Sequence, residues 1–234
     1  MRQPDGAMSA ADAADAAGVT DPRPGPGWPG HGSSGAGRDR LPPGQFVQSA
    51  MPVLHYGRVP SVNPETWDLR VIGATSSGEE HRWTWDAFAS LPRQEMLADF
   101  HCVTKFTVLN VSWAGVQTAE ILRAAPPAPS ATHVMVWAAY GYGANLPIEI
   151  LAESQTMLAT HREGRELTPE HGYPVRLVVP SRYGWKSVKW VRAIEYLTQD
   201  RRGFWEERGY HNIADPWREQ RYSYTELPGE GPPL

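Results

Sequence analysis

Cys102 is the only cysteine in this chain of 234 residues. One thiol cannot close a disulfide within the chain. It cannot complete a zinc ribbon or an iron–sulfur cluster from the chain's own thiolates either. No Cys-x-x-Cys-His stretch is present to attach a haem covalently. Long apolar runs are also missing, since none approaches the ~20 residues that span a bilayer. Positive charge is not in excess: 22 Lys and Arg stand against 26 Asp and Glu, a net charge of −4. That balance argues against a general nucleic-acid binder. The stretch MRQPDGAMSAADAADAAGVT has no twin arginine and no basic cluster ahead of an apolar segment, so the expected location is cytoplasmic.

What the chain has in quantity is tryptophan, proline and glycine: 10, 22 and 22 residues. Proline and glycine interrupt long regular elements. The expectation is a sheet-dominated α+β domain with many short strands and about three short helices. Residues 1–43, which include DPRPGPGWPGHGSSGAGRDRLPPG, read as a disordered Pro/Gly-rich tail. Residues 44–226 read as one domain, and 227–234 as a flexible C-terminus.

Within the domain, FVQSAMPVLHYGRVP is bracketed by Pro52 and Pro60 and should run extended. Trp67, Leu69 and Val71 alternate with polar residues, as a half-buried strand does. Strand then helix is expected at RWTWDAFASLP, with Thr84 as N-cap. A second helix is expected at the end of VSWAGVQTAEILRAA, capped by Thr118. THVMVWAAY and PVRLVVP read as strands. LPIEILAE reads as a short helix with Pro147 near its first position. KSVKWVRAIEYLT reads as alternating from Val188 and Trp190 onward.

Cys102 lies in DFHCVTKFT between His101 and Lys105. A lone cysteine is most often a small buried hydrophobe. Flanking cations favour thiolate, the form that acts as nucleophile or metal ligand. As a nucleophile it would need an oriented base, which would make the chain a thiol-dependent hydrolase. As a soft-metal ligand, a single thiolate suffices only if an organic cofactor carries the metal. Such a cofactor needs basic and amide-rich loops elsewhere, and HGYPVRLVVPSRYGWKSVKWV supplies candidates. Arg176 interrupts an apolar strand, where a charge is costly unless an anion meets it. Lys186, Ser187 and Lys189 add donors. An internal salt bridge and a solvated strand end are the plainer alternatives.

The ordered succession DFHCVTKFT, SWAGV, YGANLP, HGYPVRLVVPSRYGWKSVKWV and FWEERGYH resembles the molybdopterin-dependent sulfite oxidase family, over about Gln45 to Tyr222. It is most similar to the compact, haem-free bacterial members, akin to the catalytic subunit of the methionine sulfoxide reductase. The resemblance implies the sulfite oxidase-type molybdopterin-binding α+β fold. It implies one molybdenum held by one molybdopterin, with Cys102 as the protein's metal ligand. It places pterin or phosphate contacts at His55, Tyr56, His171, Arg176, Lys186 and the Ser187-Val188-Lys189 segment. Tyr142 corresponds to an active-site tyrosine, expected to hydrogen-bond the reacting oxygen. Lys105 and Lys186 are expected to draw an anion into the cleft. Lys105 and Phe106 stand where sulfite oxidases place paired arginines.

The implied activity is two-electron oxygen-atom transfer on a small oxyanion or oxide, sulfite or an S- or N-oxide. A separate electron carrier or redox subunit is the implied partner, with no nucleic acid and no membrane span. A non-catalytic binding or scaffold protein on the same fold is the alternative from another class.

Overall fold

A computed structural model describes residues 40–233, so the sequence reading of residues 1–39 lies outside the described residues. Two sheets form the frame. The first is organised by β5 (Phe106–Gln117), which pairs antiparallel with β4 (Arg93–His101) along one edge. Its other edge is shared by β1 (Phe46–Val47), parallel, and β8 (Met157–Arg162), antiparallel. β9 (Arg165–Glu166) and β10 (Arg176–Val178) both pair with β8. The second sheet has the order β3-β2-β11-β6-β7. Its strands are β2 (Asp68–Gly73), β3 (His81–Thr84), β6 (His133–Ala138), β7 (Gly143–Pro147) and β11 (Val191–Leu197). Only β2 and β11 pair in parallel there. Among the described residues two short helices, α1 (Trp85–Ala89) and α2 (Thr118–Ala124), join the sheets together with 3-10 turns. No helix among the described residues is long and apolar enough to cross a membrane.

The alternation expected in β2 is present: Trp67, Leu69 and Val71 are buried. They belong to a core that also takes Val134 and Val136 of β6, Ile194 of β11, and Val116, Leu158 and Leu177 of the first sheet. A second cluster lies on the other side of the first sheet. It holds Cys102, Phe106, Trp113, Ala159 and Val178. Side chains along a strand point to opposite faces in turn. In β10, therefore, Leu177 serves the first cluster while Arg176 and Val178 face the side of Cys102. The strand period that makes Arg176 look misplaced in the sequence is what delivers it to the cysteine.

Several local expectations need correction. Thr84 does cap α1, its Oγ1 accepting from the Ala87 N–H at 3.4 Å. Thr118 is not a cap. It is the first residue of α2, and its buried hydroxyl donates to the carbonyls of Leu151 and Thr156. The segment after Pro147 is a 3-10 helix, Ile148–Ala152, with Pro147 as its cap at the end of β7. Val188 and Trp190 precede β11 rather than opening it. Trp190 sits at φ 57°, a left-handed turn that breaks the extended run just before Val191. Ordered contacts also begin before Gln45, because Arg40 Nε donates to Asp99 Oδ2 at 2.9 Å. Residues 227–234, expected to be a flexible C-terminus, make side-chain contacts in their described part. Glu230 accepts from Arg218 at 2.7 Å and Gln220 at 3.0 Å, and Arg202 Nε donates to the Pro232 carbonyl at 2.9 Å.

Asp68 ties β2 to its two neighbours. It is 6% exposed and takes ion pairs from Arg82 of β3 and Arg192 of β11. Burial raises its pKa, but the hydrogen bonds and charges of Arg192 and Arg82 outweigh that and hold it below the usual 3.8. A depressed carboxylate stabilises the fold above its unfolded value and loses that contribution as pH falls through the folded one. Asp68→Asn should therefore cost ~1–2 kcal/mol at pH 7, the arginines being partly exposed. Urea unfolding should show the difference from wild type shrinking below pH 3.8.

Candidate cofactor site

Cys102 opens the turn between β4 and β5. Its N–H donates to the Phe106 carbonyl at 2.9 Å, and Lys105 N–H closes the turn on the Cys102 carbonyl at 3.1 Å. That same carbonyl accepts from Gln45 Nε2 at 3.1 Å, and Arg221 grips the Val103 carbonyl at 2.6 Å. Cys102 is 8% exposed, and its sulfur receives the Thr104 hydroxyl at 3.1 Å. Burial pushes the thiol above its usual value, partly offset by Thr104. His101 does not touch the sulfur: its Nδ1 bonds Thr107 Oγ1 at 2.9 Å, and that hydroxyl donates to Gln45. The expectation that flanking cations make the thiol acidic is thus corrected, and among the described residues no histidine hydrogen-bonds the sulfur.

A cavity of about 540 Å³ opens beside the thiol. Of the residues singled out from the sequence, Cys102, His55, Tyr56, Tyr142, His171, Arg176, Ser187 and Lys189 line it. Lys105, Lys186 and Val188 do not. Lys105 is exposed at the tip of the turn with φ 75°. Val188 packs in the core between the sheets. Lys186 is fully buried in an ion pair with Glu206. The Lys105 and Lys186 side chains are thus not brought to the cavity, and at Val188 the expected contact is one from the backbone amide rather than from the side chain.

One end of the cavity is basic, and among the described residues no carboxylate lines it. Arg176 is 2% exposed. Its Nη atoms donate to the carbonyls of His171 at 3.2 Å and Ser187 at 3.3 Å, and Trp113 and Phe100 lie within 5.1 and 5.7 Å of the guanidinium. It has no ion pair among the described residues, and its Nε has no hydrogen-bond partner. Neither has the buried His171 Nε2. Burial, then the nearby Arg162, pulls Arg176 down to about 9. Burial, then Arg162 and Lys189, pulls His171 down to about 4. Burial, then Arg176, pulls Lys189 down to about 7. Gly172 makes this crowding possible. At φ 110° it tolerates a left-handed turn, and a Cβ there would stand 3.0 Å from that of Arg176 and 3.1 Å from that of Lys189. Basic groups that disfavour one another, with Arg176 Nε and His171 Nε2 left without partners, form a site for an anion that accepts several hydrogen bonds, as a phosphate does.

The other walls are apolar and aromatic. Phe204 lies 5.3 Å from Tyr56, 5.5 Å from Tyr142 and 5.2 Å from Trp205, centroid to centroid. Arg58 stands at the rim over the Tyr140 ring, 4.9 Å from its centre. The Tyr142 hydroxyl gives its hydrogen to the Trp185 carbonyl at 2.8 Å. A phenol has one hydrogen. In this pose Tyr142 can accept from a ligand but cannot donate to one. The sequence reading missed Thr104, Gln45, Arg58, Trp205 and Glu206. Thr104, Arg58 and Trp205 reach the cavity from loops, Gln45 holds the Cys102 carbonyl and Glu206 stands behind the wall, and no periodicity marks them.

A family model described as "Oxidoreductase molybdopterin binding domain" matches residues 56–205. The chain belongs to that family. It is 38% identical over 186 residues to "Uncharacterized oxidoreductase YuiH" of Bacillus subtilis, covering 79% of this chain and 93% of that protein. It is 27% identical to "Putative protein-methionine-sulfoxide reductase subunit YedZ1" of Azospira oryzae, covering 67% of this chain and 60% of that one. Against human mitochondrial sulfite oxidase it is 26% identical, covering 67% of this chain and 34% of the relative. The sulfane dehydrogenase SoxCD from Paracoccus pantotrophus shares the fold with a TM-score of 0.59 at 22% identity, over 70% of this chain and 48% of that one. The expected sulfite oxidase-type fold is thereby borne out. The residues present also fit this family's cofactor class: a thiol for a metal, and unmatched cationic donors for a phosphate.

A polyphosphate probe should test the basic end directly. Inorganic pyrophosphate should raise the Tm of cofactor-free wild type by mass action and leave Arg176→Met unchanged. Lys189 is charged below about 7 and neutral above, so protection should be larger at pH 6 than at pH 8. Without the anion the sign is opposite. A lysine lowered from 10.5 to about 7 makes wild-type stability rise between those values, because the unfolded chain binds the extra proton.

Proposed function

We propose that this chain is a molybdenum–molybdopterin oxidoreductase that moves one oxygen atom, with two electrons, to or from a small organic S- or N-oxide. One observation carries the reading: the Cys102 thiol and the uncompensated Arg176 guanidinium line the same cavity. In this reading one metal and one pterin are held per chain. The bound group supplies the redox change and the oxygen transfer.

The chain's own residues would bind and orient. Cys102 would offer its thiolate to the metal, with the Thr104 hydroxyl steadying the sulfur. Arg176, His171 Nε2 and Lys189 would hold the phosphate. Tyr56, Phe204 and Trp205 would keep water from the reacting end and give an apolar substituent a surface to pack on. Tyr142 would receive a hydrogen bond there rather than give one. Electrons would pass to a separate carrier or redox subunit.

Arg58 favours a second reading, sulfite as substrate. It lines the rim and makes no ion pair among the described residues, so it could meet an oxyanion. Purified protein should contain molybdenum and molybdopterin near one per chain. Turnover with artificial electron carriers should be faster for neutral sulfoxides or N-oxides than for sulfite, and the reverse ratio favours the second reading. Cys102→Ser should keep pterin and lose turnover, by at least the 10²–10⁴-fold that a directly engaged catalytic group typically contributes. A metal-free chain, or undiminished turnover in Cys102→Ser, counts against the proposal.

A further inference from the structure

Lys186 and Glu206 form an ion pair at 2.6 Å with both side chains fully buried, and neither lines the cavity. We propose that the pair is a positioning device: it fixes Trp185 in the cavity wall and, through the Trp185 carbonyl, fixes the Tyr142 phenol. Only the catalytic consequence rests on the oxygen-transfer reading above. The geometry does not depend on it.

The donor count removes the alternative that Lys186 holds the cofactor. An ammonium has three hydrogens. Lys186 Nζ spends them on Glu206 Oε1, the Asn145 carbonyl and Asn145 Oδ1, the last two at 2.8 Å each. None remains for a phosphate. Glu206 Oε1 has a second task, accepting the Trp185 indole N–H at 2.8 Å. One carboxylate oxygen therefore grips two successive side chains of the 3-10 turn Gly184–Lys186. Fixing both fixes the rotation of that turn, and with it the direction of the Trp185 carbonyl that receives the Tyr142 hydroxyl. The indole itself lies stacked on Tyr183 at 5.4 Å and edge-on to Tyr210 at 5.1 Å. Its plane is set by the rings and its in-plane angle by Glu206.

Stability alone is a weak reason for such a pair. Desolvating two charges costs about as much as their attraction returns, and apolar replacement of both partners is often neutral or stabilising. An apolar pair would, however, leave the buried indole N–H without an acceptor and free the turn to rotate. The specific geometry of the wall is what the charges provide that a hydrocarbon pair cannot.

The test uses the full-length, cofactor-loaded chain with 15N-labelled tryptophan, so that each indole N–H gives its own NMR signal. Trp185→Phe identifies the Trp185 signal by its disappearance. Lys186→Met/Glu206→Leu, which removes both charges and the indole's acceptor, should keep wild-type molybdenum and pterin content. It should shift or broaden the Trp185 signal. It should lower kcat by about 10²-fold, the scale of an ångström-level misplacement, with KM little changed. Lys186→Met/Glu206→Gln, which keeps an acceptor for the indole, should restore the signal and most of kcat. Should the Leu variant not fold, Trp185→Phe must carry the same kcat loss. Two results overturn the proposal. One is loss of cofactor in the Met/Gln variant matching that of Arg176→Met. The other is an unmoved Trp185 signal with unaltered kcat in the Met/Leu variant. A wild type without turnover on any oxide or sulfite, but with the expected NMR changes, overturns the functional reading and leaves the positioning claim standing.

Discussion

The structure is arranged around a buried guanidinium that has no counter-ion among the described residues. Holding Arg176 at 2% exposure without a carboxylate costs several kcal/mol even after relaxation. Two carbonyls and two aromatic rings return only part of that. Arg162 and Lys189 add repulsion, which is why Arg176 is pulled well below its usual range. A fold tolerates such a site when something anionic completes it. The features around it make sense on that footing: Gly172 allowing the close approach, His171 leaving Nε2 unspent, and a cavity free of carboxylates.

The cysteine is handled in the opposite way. Its backbone is clamped from two distant segments, by Gln45 from the N-terminal arm and Arg221 from the C-terminal loop. Its sulfur is given one hydroxyl, and the charge of Arg221 offsets burial only in part. Burial raises the thiol, so the environment by itself does not make a nucleophile. A metal that binds thiolate reverses that preference, because coordination drives off the proton. On the proposed reading the thiol and the anion site would hold two ends of one ligand, of the class that the molybdopterin-binding oxidoreductase family takes.

On the same reading the aromatic wall would bound the space in which a substrate reacts. Tyr142 is committed as a hydrogen-bond acceptor, and its phenol is held far above its usual pKa by burial, then by Glu206. The only rim cation lining the cavity among the described residues, Arg58, is stacked on a ring at the mouth. Lys186 and Glu206 neutralise each other behind the wall, and their network runs on through Asn145 to Asp200 and Asn212. Charge is thus concentrated where an anion belongs and cancelled where shape matters.

Much of this was legible in the order of residues. Period-two alternation identified β2, and the charge inside PVRLVVP marked Arg176 as needing an anion, because an apolar strand fixes which face each side chain takes. The motif succession gave the family and, within it, Cys102, His171, Ser187 and Lys189 as cavity residues. Other features depend on distance across the fold. Which partner a long side chain finds is set by loops that arrive from far along the chain. Lys186 therefore read as a phosphate ligand until Glu206, twenty residues on, appeared at 2.6 Å. Lys105 read as a cleft cation until the turn tip put it in water. Strand period and composition act locally and survive in sequence. The pairing of buried charges, the aim of a hydroxyl and the emptiness of a wall arise only when separate segments meet.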